Sequence, residues 1–62
     1  MKSVRDIRKI FRKHRGEQAE MARRLALEPA TISLWLAGKV KSARIAAAMQ
    51  ARAEELAKEV AA

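Results

Sequence analysis

The sequence predicts an all-α domain of four helices with a long C-terminal helix, on three observations. Its 62 residues include two glycines and one proline, and none of the three interrupts an apolar period. The apolar residues recur at three- and four-residue spacing, the signature of helices with one buried face. Nine of the last twenty residues are alanine, the residue with the highest intrinsic helix propensity. One domain is expected over residues 1–62.

The first helix is expected to start at Ser3, whose hydroxyl can accept from a free amide of the first turn, with Asp6 three residues on. Its apolar stripe is Val4, Ile7, Ile10 and Phe11, with His14 in line, and Arg5, Arg8, Lys9, Arg12 and Lys13 lie opposite. His14, Arg15 and Gly16 end it. The second helix runs from about Glu17 to Leu25 with Met21, Ala22 and Leu25 inward. The third opens at Pro29, where the missing amide hydrogen costs nothing, and stops at Gly38. Ser42 caps the fourth, which continues to about Val60, roughly 30 Å at 1.5 Å per residue.

Lys and Arg number 14 against 7 Asp and Glu, a formal charge of +7. Residues 1–15 carry seven cations and one anion, residues 16–38 two and three, and residues 39–62 five and three. A surface this cationic suits a polyanionic partner. Other classes are disfavoured. The chain has no cysteine and one histidine, His14, so disulfides and thiolate metal sites are absent, and neither a metal nor a cofactor is expected. Ser3, Ser33 and Ser42 fall at no spacing that gives a nucleophile, base and orienter, so the protein is not expected to be an enzyme. The longest uncharged run, Pro29 to Gly38, is ten residues, about half of a membrane span. No secretory leader is legible, and a cytoplasmic location is expected.

From Gln18 to Lys39 the chain reads QAEMARRLALEPATISLWLAGK. Two short helices that cross steeply need a small residue at the point of approach, supplied by Ala22. Met21, Leu25, Leu27, Ile32, Trp35 and Leu36 then fill the wedge between them. This segment resembles the helix-turn-helix of the phage repressor and Cro family, with the motif at about residues 17–38 and the likeness extending to about residue 45. The resemblance implies a lambda-repressor-like fold and a transcriptional regulator, a small repressor that binds duplex DNA as a homodimer on a palindromic operator. At the turn, where the family usually has glycine, this chain has Ala26. A side chain there costs about 1–2 kcal/mol in the left-handed conformation, so either a strained alanine or an altered turn is expected.

By the same resemblance the third helix enters the major groove. Its outward side offers Ala30, Thr31, Ser33 and Leu34, preceded by Glu28. It lacks the Arg, Asn and Gln that make bidentate base contacts. Readout would rest on the Thr31 and Ser33 hydroxyls, on apolar contact of Ala30 and Leu34 with thymine methyls, on Glu28 accepting from cytosine, and on DNA shape. Gln18 matches a phosphate-binding position of the family that also braces the recognition helix. Lys39, Lys41, Ser42 and Arg44 match its phosphate-contacting loop. No small-molecule effector is expected, since the chain has no second domain to sense one.

The last helix carries a stripe of Ile45, Met49, Arg52, Ala53, Leu56 and Val60. Ile45 and Met49 suffice to close the wedge, which leaves two placements for the rest. The tail packs on Val4 and Ile7 of the first helix, or Ala53, Leu56 and Val60 form a twofold dimer interface. The dimer is favoured, because a core of this size is marginal alone and two recognition helices read a palindrome better than one. Three other readings stay open: an antitoxin-like or adaptor module that uses Ala30 and Leu34 as a protein contact, an RNA binder, and a cationic amphipathic first helix on a membrane surface.

Overall fold

In the computed structural model, which describes residues 2–61 and side chains up to residue 59, four helices follow in order with no strand among the described residues. They are α1 (Val4–Arg12), α2 (Glu17–Leu25), α3 (Pro29–Leu36) and α4 (Ala43–Ala61). Each start is set by local chemistry. Ser3 and Asp6 form a reciprocal capping box: Asp6 N–H donates to Ser3 Oγ at 3.2 Å and Ser3 N–H to Asp6 Oδ2 at 3.4 Å. Gly16, at φ 89°, precedes α2, and Pro29 opens α3. Ile45 N–H donates to Ser42 Oγ at 3.2 Å at the start of α4.

Helices α2 and α3 end in the same way. Leu27 N–H bonds Ala22 O at 2.8 Å and Ala26 N–H bonds Arg23 O at 3.2 Å; Lys39 N–H bonds Leu34 O at 2.9 Å and Gly38 N–H bonds Trp35 O at 3.0 Å. Both are Schellman turns, which place one residue in the left-handed region. That residue is Gly38 at φ 79° in one and Ala26 at φ 57°, ψ 43° in the other. The turn is therefore not altered to suit alanine; Ala26 takes the strained conformation. α1 is shorter than its apolar stripe, ending at Arg12, so His14 sits half-buried in the turn that carries the chain into α2.

The core is formed by Ile7 and Phe11 of α1, Met21 and Ala22 of α2, Ile32, Trp35 and Leu36 of α3, and Ile45, Met49, Ala53 and Leu56 of α4. The stripe of α4 is spent inside the monomer. Ala53 is 0% and Leu56 1% exposed, both within this cluster, so the expected assignment of these two residues to a dimer interface is corrected. The side chain of Val60, the third residue of that assignment, lies outside the described side chains. The physical reason is the direction of α4. Lys2 N–H donates to Gln50 Oε1 at 3.2 Å, while Ala57 lines a small cavity with Ile10, Lys13 and His14. The two helices thus run side by side in the same sense, and the far half of α4 finds the far half of α1 rather than Val4 and Ile7.

Three arginines tie helices together at the rim of this core. Arg8 Nε on α1 donates to Leu36 O at the end of α3, at 2.7 Å. Arg44 Nη2 on α4 donates to Leu25 O at the end of α2, at 2.8 Å. Arg52 on α4 grips Glu17 at the start of α2 through Nε and Nη2, at 2.9 and 3.0 Å. The first two satisfy carbonyls that a helix C-terminus leaves free and place positive charge where the helix dipole favours it. Among the described residues no helix is long and apolar enough to cross a membrane.

Candidate nucleic-acid interface

Two helices present the candidate surface. In α3, Ile32, Trp35 and Leu36 point inward, which leaves Pro29, Ala30, Ser33, Leu34 and Ala37 exposed and Thr31 half-buried. Leu34, 43% exposed, is the large hydrophobic side chain that the fold does not cover among the described residues. Burial of a leucine is worth about 1.5–3 kcal/mol, so its exposure at the centre of a face is not dictated by packing. Glu28 is exposed at the helix start and makes no side-chain cap bond.

Ser33 is not free on this face. Its hydroxyl donates to Gln18 Oε1 at 3.2 Å, which joins the N-terminal turn of α2 to the outward side of α3. Gln18 is thereby tied to α3, and its amide nitrogen is left to donate elsewhere. Four candidate residues beyond α3 divide by role. Lys39 and Lys41 are exposed in the loop. Ser42 is half-buried with its oxygen engaged by the Ile45 amide, and Arg44 is exposed but has one nitrogen committed to Leu25 O. An arginine has five N–H donors, so Arg44 keeps some to offer a second acceptor. The structure thus brings Gln18 and Ser33 together at one end of α2 and Arg44 to its other end.

Charge on α2 is managed in pairs. Glu17 and Glu20 both lie in its first turn, where they suit the helix dipole but would repel an anion. Glu20 is held by Arg23 and by Arg24 Nε, the latter at 3.1 Å. Glu17 is held by Arg52, which also approaches Glu55 at 3.6 Å. The Glu17 and Arg52 side chains are only 20% and 16% exposed. The hydrogen bonds from Arg52 pull the Glu17 carboxyl below its ordinary value of 4.5; partial burial opposes this, and the charges of Arg52, Arg24 and His14 add to it. Arg52 is raised, first by the same bonds. Position-by-position reading did not pair these residues. The available signal was Arg52 on the inward stripe of α4, since a cation on a buried face needs a partner.

On α1 the situation is reversed. Arg5, Lys9, Arg12, Lys13 and Arg15 in and after that helix are exposed and take part in no ion pair among the described residues. A cleft of about 340 Å³ opens between α1, the start of α2 and α3, lined by Arg8, Arg12, Gln18, Ser33, Leu36 and Ala37. Among the described residues no group of His, Cys, Asp and Glu is arranged to hold a metal ion. Comparison with protein-family models, with curated proteins and with solved structures finds no match to this chain.

Proposed function

We propose that this chain is a sequence-specific duplex DNA-binding transcriptional regulator, a small Cro-like repressor with a lambda-repressor-like helix-turn-helix at residues 17–38. The observation that carries the reading is the Ser33–Gln18 hydrogen bond. It fixes a donor-bearing side chain at the N-terminus of α2 against the outward face of α3, so one rigid unit presents both a phosphate-seeking amide and a protruding helix face. With its side chains an α-helix is about 10–12 Å across, which a major groove about 12 Å wide admits. Ala30, Thr31, Ser33 and Leu34 would meet base edges, with Glu28 before them, while Gln18, Lys39, Lys41, Ser42 and Arg44 would meet phosphates.

In this reading two copies occupy a palindromic site, with recognition helices roughly 34 Å apart. The pairing surface is not the Ala53–Leu56 stripe, which the monomer uses. Sedimentation equilibrium with and without duplex measures the stoichiometry. The main test is the salt dependence of affinity. If about six phosphates are neutralised by two subunits, log affinity falls against log salt with a slope near −5. A flat profile removes DNA as the ligand. The exposed Leu34 favours one second reading, an adaptor or antitoxin-like module with a protein on this face. Under that reading Leu34→Glu abolishes a protein complex and leaves any duplex binding in place.

A further inference from the structure

Resting on that reading, we infer that the cleft between α1 and α3 is a phosphodiester seat. Arg8, Arg12 and Gln18 grip one strand of the duplex backbone there, in a cleft that none of the loop cations Lys39, Lys41 and Arg44 lines. Three features support it. The cleft is lined by two guanidinium groups, an amide and a hydroxyl, and by no carboxylate. An uncompensated charge of this kind attracts a monoanion with two paired acceptor oxygens, such as the non-bridging oxygens of a phosphodiester, which a guanidinium fork can engage together.

The ligating groups are also largely pre-ordered. Arg8 is half-buried and its Nε is fixed on Leu36 O at 2.7 Å, so its two terminal nitrogens remain as donors with no protein acceptor among the described residues. Gln18 gives its oxygen to Ser33 at 3.2 Å, which orients its amide nitrogen as a donor. Immobilising a long side chain on binding costs about 0.5–1.5 kcal/mol, and these two have already been immobilised by folding. Arg12, exposed at the end of α1, completes the set from one turn further along the same face as Arg8.

Position gives the last feature. Ser33 belongs both to the wall of the cleft and to the outward face of α3. A duplex that admits this face into its major groove carries a backbone strand past the groove edge, and the cleft lies at that edge. None of the loop cations Lys39, Lys41 and Arg44 lines the cleft, so α1 becomes a second backbone-gripping wall.

The test uses the full chain and a fluorescein-labelled 20-base-pair duplex of mixed sequence, with affinity followed from 0.05 to 0.5 M salt. Arg12→Gln is expected to reduce the steepness of the log–log slope by about 0.9 per bound subunit, roughly an eightfold smaller change in affinity between 0.05 and 0.5 M. Lys9→Gln removes an exposed cation of the same helix that does not line the cleft, and it should leave the slope unchanged. The side-chain Nε–H signals of Arg8 and Arg12 should shift saturably on addition of duplex but not on addition of equimolar inorganic phosphate. Equal losses from Arg12→Gln and Lys9→Gln would mean a diffuse cationic face and overturn the seat. Saturation by inorganic phosphate with an unchanged duplex slope in Arg12→Gln would make it a free-anion site instead. A steep wild-type slope unaffected by Arg12→Gln, with no arginine shifts, refutes this inference alone; a flat wild-type slope refutes the DNA reading beneath it.

Discussion

Replacing Ala26 by glycine should stabilise the protein, an unusual direction for a substitution that deletes atoms. Ala26 sits at φ 57°, ψ 43°, where contact between Cβ and the following carbonyl costs about 1–2 kcal/mol. The methyl group is exposed, so its removal forfeits little packing. Against the relief stands the greater freedom of glycine in the unfolded chain, worth roughly 0.4–1 kcal/mol. The balance is a gain of about 0.5–1 kcal/mol, which for a domain of this size raises Tm by roughly 2–8 °C. Gly38 gives the mirror experiment. It closes the same type of turn at φ 79°, and a Cβ built there meets nothing within 4 Å, so Gly38→Ala adds conformational strain without collision and should lower Tm by a similar amount. Thermal unfolding followed by circular dichroism at 222 nm measures both. A fall in Tm for Ala26→Gly, or a rise for Gly38→Ala, would refute the assignment of strain to the left-handed residue.

Leu56→Ala should cost about 2–5 kcal/mol, because the side chain is 1% exposed inside the monomer; a loss of self-association with undiminished thermal stability would contradict that placement. Glu17 has a lowered pKa in the folded state, so its contribution is complete above about pH 4.5 and is lost as pH falls through the lowered value. Glu17→Gln should therefore flatten the decline of Tm with acidification below that point while reducing Tm at neutral pH, as a pH series of melts would show. Leu34→Ala should change thermal stability by no more than about 0.5 kcal/mol yet weaken discrimination at thymine-containing steps by about 1–3 kcal/mol, measured by competition among related duplexes. Lys39→Ala should weaken all duplexes about equally and reduce the salt slope by about 0.9 per bound subunit.

Helix starts and stops were legible because they are decided within four residues. Ser3, Pro29, Gly38 and Ser42 each act through their own φ or hydroxyl on the adjacent turn. The buried faces of α2 and α3 were legible for a related reason, since Ala22, Ile32, Trp35 and Leu36 repeat at the helical period. The partner of a face is not written in its period. The stripe of α4 fits a twofold axis and α1 equally well, and only the parallel run of α1 beside it, pinned at Lys2 and Gln50, decides between them. The arginine ties were out of reach for a further reason. Arg8 to Leu36, Arg44 to Leu25 and Arg52 to Glu17 span 28, 19 and 35 residues, and two of the three acceptors are backbone oxygens that carry no sequence signal. In the candidate interface, Gln18 was singled out by the resemblance, and its contact with Ser33 lies on the outward side of α3. The cleft beside Gln18 was not, because its walls come from three helices and the period of α1 places Arg8 only on the side opposite the apolar stripe.

The placement of those three arginines bears on how the chain avoids being a fluid globule. No polar or charged residue is buried among the described residues, so the interior consists of aliphatic and aromatic groups that several arrangements could satisfy almost equally well. The directional bonds that reject the alternatives lie at the periphery, and three of them come from planar guanidinium groups. Lysine in place of Arg8, Arg44 and Arg52 keeps the charge and the length but loses the fixed fork. The triple variant should keep its far-ultraviolet helical spectrum while the near-ultraviolet signal of Trp35 fades and a hydrophobic dye begins to bind, the marks of a collapsed but unspecified interior. Uniqueness of structure in this protein would then reside in its rim, and helix content in its core.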